Sequence, residues 1–173
     1  MDDRSPWHHG EIARQRSAGV AARMDEIGRR VIRDHLIEQH RAFFPLLSMV
    51  VLGSVDPEGR AWATLRTGRP GFLHAPDEHR LQIDLVRDAN DPAEAGLVDG
   101  TNAALLGIDF STRRRNRLNG PVSRNLQGFA LEVTQSFGNC PKYIQLRESE
   151  PVGDLDAASQ GAAVELSALS GEA

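Results

Sequence analysis

Cysteine is almost missing from this chain. Cys140 is the only one in 173 residues, which excludes an intrachain disulfide and fits a reducing cytoplasm. Long hydrophobic runs are missing too. The longest, Leu46 to Leu52, is interrupted by Ser48 and falls far short of the roughly 20 apolar residues that a spanning helix needs, so no membrane partner is expected. Met1-Asp2-Asp3-Arg4 lacks the apolar stretch of a secretion signal, so export by that route is not expected. No His-Glu-x-x-His pattern occurs, and His35 and His40 fall off one helical face, so the six histidines predict no metal site. Basic residues are absent after Arg147. Six acidic residues from Glu148 to Ala173 give the tail −6 of a total of −4, which leaves +2 for the body. A nucleic-acid binder would show a broader positive face, so that class of partner is not expected.

What is present reads as one domain with appendages. Residues 11–34 carry Ile12, Val20, Met24, Ile27 and Val31 at mostly helical spacing, which predicts an amphipathic helix that Gly19 and Gly28 weaken and divide. Phe43-Phe44-Pro45 ends that pattern. From Leu46 the residues become apolar and β-branched up to Val55, and Asp56-Pro57-Glu58-Gly59 supplies turn chemistry. A second strand over 60–66 follows, with Trp62 and Thr64 on one side and Ala61, Ala63 and Leu65 on the other. A further hairpin is expected from Gly71–His74 and Arg80–Leu85, and a short helix from Asp91 as N-cap with Pro92 at its first position. Strands are predicted over 103–109 and 113–119, and a long final one in which Phe129, Leu131 and Val133 alternate with Ala130, Glu132 and Thr134. About six short strands with one leading helix predict a mainly β, small antiparallel barrel with helical additions. Beyond Glu150, Gly, Ala and Ser dominate and aromatics are absent, which predicts a disordered segment or a frayed helix.

One cluster stands out chemically. Arg113, Arg114, Arg115 and Arg117 place four of the twenty Lys and Arg residues within five positions. Crowded cations repel one another, so the cluster either faces an anion or is solvated and paired with Asp and Glu. In a strand, Arg113, Arg115 and Arg117 would share one face and Arg114 would join Asn116 on the other. A phosphate dianion suits the first reading, because guanidinium groups bind it with charge-assisted, bidentate hydrogen bonds.

Taken in order, Gly53-Ser54-Val55-Asp56, then Pro57 to Leu65, Leu105-Leu106-Gly107-Ile108-Asp109, Arg115-Asn116-Arg117-Leu118-Asn119-Gly120 and Asn139-Cys140-Pro141-Lys142-Tyr143-Ile144-Gln145 resemble the pyridoxamine 5′-phosphate oxidase-like family of FMN-binding split barrels. The resemblance covers about Phe44 to Arg147. It implies a six-stranded antiparallel Greek-key split barrel over 44–147, with an N-terminal helical extension over 1–43 and an acidic tail or linker over 148–173. It also implies a homodimer with FMN at its interface and a flavin-dependent oxidoreductase acting on a small-molecule substrate or electron donor. Carried over residue by residue, Trp62, Ala63, Thr64 and Leu65 form the strand along which the flavin ring lies, with Thr64 reaching the ribityl chain or phosphate. Arg115, Arg117 and Asn119 approach the phosphate, Arg66 is a second phosphate ligand, and Lys142 offsets the charge of a reduced flavin or its phosphate.

Each position also has a plainer reading: Trp62 as core, Lys142 as a surface cation, Cys140 as buried packing. The chain departs from the family in lacking the tryptophan- and arginine-containing C-terminal signature, so vitamin B6 oxidation is not implied. The segment after the fourth strand, Asp88 to Glu94, is acidic where relatives carry basic residues. Relatives with this motif set often continue into a second barrel. Two alternatives therefore stand beside the flavin enzyme: a non-catalytic split-barrel module that dimerises or supports another domain, and the same cleft holding deazaflavin or haem.

Overall fold

The hairpin turn at Asp56–Gly59 sets the first piece of the architecture. Gly59 adopts φ 82°, which only glycine takes at low cost, and its amide donates to the Asp56 carbonyl at 2.9 Å. In this computed structural model, which describes residues 5–148, the turn joins β1 (Met49–Val55) to β2 (Ala61–Thr67) in antiparallel register. The acidic tail beyond Glu148 lies outside the described residues. β3 (Leu73–His74) and β4 (Arg80–Ile83) form the second expected hairpin. Asp91 caps the Ala93 amide at 2.9 Å and Pro92 opens the helical turn Pro92–Gly96, as predicted, though with the tighter 3₁₀ geometry.

β5 (Asn102–Asp109), β6 (Arg114–Arg124), β7 (Phe129–Glu132) and β8 (Gln135–Gly138) complete an eight-stranded antiparallel sheet in the order β2-β1-β5-β6-β7-β4-β3, with β8 paired to β6. The sequence marks seven strand runs, against the six of the barrel that the resemblance implies, and the observed sheet has eight because the expected final strand is divided into β7 and β8. β7 pairs Val122–Arg124 of β6, whereas β8 pairs Asn116–Asn119. Between them the Thr134 amide and hydroxyl both donate to the Asn119 carbonyl at 2.9 Å, which re-routes the chain.

Val50 and Leu52 of β1, Leu105 of β5, Leu118 and Val122 of β6, and Leu81, Ile83, Phe129 and Leu131 of the second half point into one core. Leu36, Phe43 and Phe44 enter the same core from the N-terminal side, so this end of the expected extension packs as part of the sheet domain. The predicted N-terminal helix is divided, as expected, into α1 (His9–Ser17) and α2 (Ala21–Val31), with Gly19 at φ 69° between them. A third short helix, α3 (Glu38–Arg41), precedes the turn Phe44–Leu46. Among the described residues, no helix is long and apolar enough to cross a membrane.

Candidate functional site

The two faces of β2 separate the predicted site residues. Trp62, Thr64 and Arg66 stand opposite Ser54, Leu52 and Val50, on the core-facing side, while Ala63 and Leu65 stand opposite Gly53 and Val51 on the outer side. Continuing the register through β5, β6 and β8 gives two rows across the outer face. One row is Leu65, Val51, Leu106, Arg117 and Phe137; the next is Ala63, Gly53, Ala104, Asn119 and Gln135. Three small residues in succession, Ala63, Gly53 and Ala104, lower the second row into a trough. It forms part of a depression of about 210 Å³ that ends at Arg117 and Asn119. A Cβ on Gly53 would sit 3.6 Å from the Ala104 Cβ, so the trough floor has room for one. The structure thus brings Ala63, Arg117 and Asn119 to one depression, with Leu65 in the same row as Arg117 but outside its lining.

The four clustered arginines do not form one stripe. Arg113 lies in the turn before β6 with φ 57°, so it does not share a face with Arg115 and Arg117. Arg114 lies on the Asn116 side of the strand, as expected, its guanidinium 4.9 Å from the Phe43 ring centroid and donating to the Gln39 carbonyl at 3.2 Å. Arg115 donates to the Cys140 carbonyl at 3.1 Å, and its Nε is buried without a partner. Among the described residues, Arg117 makes no hydrogen bond or ion pair and is exposed on the outer face. Lys142 lies in the irregular segment after β8, exposed, with Nζ 5.6 Å from the Tyr143 ring centroid. Cys140, expected to be buried, is exposed, because the chain has left the sheet at Gly138 and offers no face to pack on.

Arg66 has a different neighbourhood. Its guanidinium donates to Glu94 Oε1 at 2.5 Å and lies 3.3 Å from Asp91 Oδ2, off the hydrogen-bond line, so its Nε remains unpartnered. Arg124 takes the other Glu94 oxygen at 2.5 Å, and Arg87 approaches at 3.6 Å. Glu94 is buried, with 4% of its surface exposed, and bridges two strands by carboxylate hydrogen bonds of the strong, charge-assisted kind. The segment Asp88 to Glu94, acidic where relatives carry basic residues, thus supplies the anions for Arg66. Sequence reading missed this pairing because Glu94 lies 28 and 30 residues from its two arginines.

Trp62 is half-buried and belongs to the hairpin rather than to the core. Its Nε1 donates to Asp56 Oδ2 at 2.8 Å, and Arg60 lies 5.9 Å over its ring. Burial would raise the Asp56 pKa, but the Trp62 indole, the Arg60 amide and the Arg60 guanidinium outweigh it and hold the carboxyl down to about 2. His40, another residue that sequence patterning did not single out, is buried with Nδ1 2.9 Å from Ser136 Oγ. Among the described residues, no group of three or more His, Cys, Asp or Glu side chains is placed to hold a metal ion.

No family model matches the chain, and no curated protein matches it. Two solved structures are similar in fold. A candidate pyridoxamine 5′-phosphate oxidase from Lactobacillus delbrueckii superposes with a TM-score of 0.47 and 17% identity, over 61% of this chain and 95% of that one. HupZ from Group A Streptococcus superposes with a TM-score of 0.47 and 9% identity, over 60% of this chain and 99% of that one. At these identities the likeness concerns the course of the chain alone.

Proposed function

We propose that this chain is a flavin-binding split barrel of the pyridoxamine 5′-phosphate oxidase-like type, an oxidoreductase that acts in the cytoplasm as a homodimer and lays FMN along the outer face of its sheet. The single observation that carries this reading is the trough floored by Ala63, Gly53 and Ala104, which ends at an arginine with no counter-ion among the described residues. A flat apolar ring suits such a floor, and an anionic group suits such an arginine. The residues fit FMN here and not at Arg66, whose charge Glu94 and Asp91 already meet. Arg117 would hold the phosphate with Arg115 one position along the same face, Asn119 would orient the ligand's polar edge, and Leu65 would flank the ring. When bound, the flavin supplies the electron transfer, and no side-chain acid or base is then required of the chain. Lys142 and the core-facing Trp62 and Thr64 would act only at a distance, through the hairpin and the segment after β8.

A depression of about 210 Å³ is smaller than the usual ligand pocket of roughly 300–1,000 Å³. The same face of a second copy would complete it, which is why the homodimer belongs to the proposal. Titration of FMN, followed by fluorescence quenching, tests it. Gly53→Val should abolish binding of FMN and riboflavin alike, because the side chain fills the trough while its Cβ meets Ala104 at ordinary contact distance. The double change Arg115→Ala and Arg117→Ala should weaken FMN by about 10²-fold and leave riboflavin little changed, since a charged hydrogen bond is worth roughly 1.5–3 kcal/mol. A protein that never quenches either flavin sinks the reading. The bridge of Arg66 and Arg124 by Glu94 favours a second reading, a non-catalytic dimerising module. That module would dimerise and bind none of FMN, deazaflavin or haem.

A further inference from the structure

A second depression of about 210 Å³ adjoins the trough and shares Arg117 and Asn119 with it. Its other walls come from far away in sequence: Pro6, Trp7, His8 and Glu11 from the N-terminal segment, Ile32 after α2, and Gln135 and Phe137 from β8. This wall is built rather than draped. His8 Nδ1 accepts the Gly10 and Glu11 amides at 3.0 and 3.3 Å while Glu11 returns to the His8 amide at 3.0 Å, a reciprocal cap that fixes the start of α1. Trp7 donates from Nε1 to the Met24 carbonyl at 3.0 Å and packs on Gly28, where an added Cβ would lie 2.6 Å from the indole. Gln135 ties the segment to β8 by donating to the Pro6 carbonyl at 3.0 Å, and accepts from Asn119 at 2.9 Å. Arg117 is left at the junction with no ion pair or hydrogen bond among the described residues.

We propose that this second depression binds a compact organic carboxylate with an apolar body, its carboxylate on Arg117 and its body against Trp7, Ile32 and Phe137. The lining is mixed: Trp7, Ile32 and Phe137 offer contact to a hydrocarbon or ring among polar neighbours, and the Arg117 guanidinium, without an ion pair among the described residues, calls for one negative charge. Glu11 also lines this depression and opposes a second negative charge placed within it, so a monoanionic carboxylate suits the depression better than a dianion. The two depressions share one Arg117 guanidinium, so this carboxylate and an FMN phosphate would compete for it, and the binding of the carboxylate does not rest on the flavin reading.

The test uses the ¹⁵N-labelled full chain, whose two tryptophans give two indole N–H signals. Cyclohexanecarboxylate should move the Trp7 signal saturably and leave the Trp62 signal in place, while the neutral cyclohexanecarboxamide should move neither. Arg117→Gln should weaken the carboxylate roughly ten- to a hundred-fold, and Arg117→Lys should restore part of the loss. Gly28→Ala, which displaces the Trp7 wall without touching Arg117, should also weaken it in a chain whose remaining spectrum is unchanged. Equal shifts with acid and amide, indifference to both Arg117 and Gly28, or no saturable shift would each overturn the proposal. Carboxylate binding in a protein that binds no flavin would retain this pocket and remove the flavin reading. Flavin binding without carboxylate binding would do the reverse.

Discussion

His40 is a neutral-state residue by environment. Burial first, and then the charges of Arg33 and Arg114, lower its pKa below the ordinary 6.5. The unfolded chain therefore takes up a proton before the folded one does. Stability is complete above about pH 6.5 and declines as the pH falls below it, until the folded form is protonated as well. Urea midpoints measured from pH 7.5 down to 5.5 should fall in the native chain and flatten in His40→Asn. Asp56 acts in a lower window, because its folded pKa is about 2 against an ordinary 3.8, so its contribution is lost only as the pH drops through that interval. Glu94 is a costly position to empty, because its buried carboxylate pairs with both Arg66 and Arg124. Glu94→Ala leaves Arg124 without its carboxylate and Arg66 with only Asp91 and the more distant Asp88, and should cost about 3–5 kcal/mol by urea unfolding. Nothing local in the sequence marks Glu94 or His40 in this way, since each depends on a partner brought from another strand.

β6 is the element on which the architecture turns. Residues 114–121 pair with β5, 116–119 of them also with β8, and the last three with β7, so one strand serves both parts of the sheet. Gly120 sits at the changeover, where a Cβ would lie 1.7 Å from the Glu132 carbonyl oxygen, a distance no relaxation of a side chain relieves. Gly120→Ala should abolish soluble, folded protein by expression and circular dichroism, whereas Ser123→Ala on the exposed side of the same strand should be neutral. The sequence showed β6 as polar and short because its arginines dominate the pattern. Asn116, Leu118, Gly120 and Val122 nonetheless alternate inward over its full length. The continued alternation of Phe129, Leu131 and Val133 likewise concealed the break between β7 and β8, which depends on Asn119 across the sheet.

At the scale of the molecule, the outer face of β2, β1 and β5 leaves Leu65 57% and Val55 53% exposed beside the small residues of the trough. Covering it with a second copy would close a two-fold interface, and light scattering should report twice the chain mass, with a buried area above about 2,000 Å² in total. A monomer at micromolar concentration would remove both the dimer and the shared flavin site. The features legible from residue order alone are those whose causes are local. The turn at Asp56–Gly59 follows from proline and glycine backbone preferences, the capped turn at Asp91–Pro92 from a side chain reaching its own neighbours, and the strands from alternation. The sorting of Arg66 toward Glu94, Arg114 toward Phe43 and Arg117 toward open surface has no local cause. It depends on strand register, and a shift of one residue would exchange the two faces of every strand. Register is set by the packing of Leu52, Leu105 and Leu118, tens of residues apart, so only the folded chain decides which arginine is left free to meet a ligand.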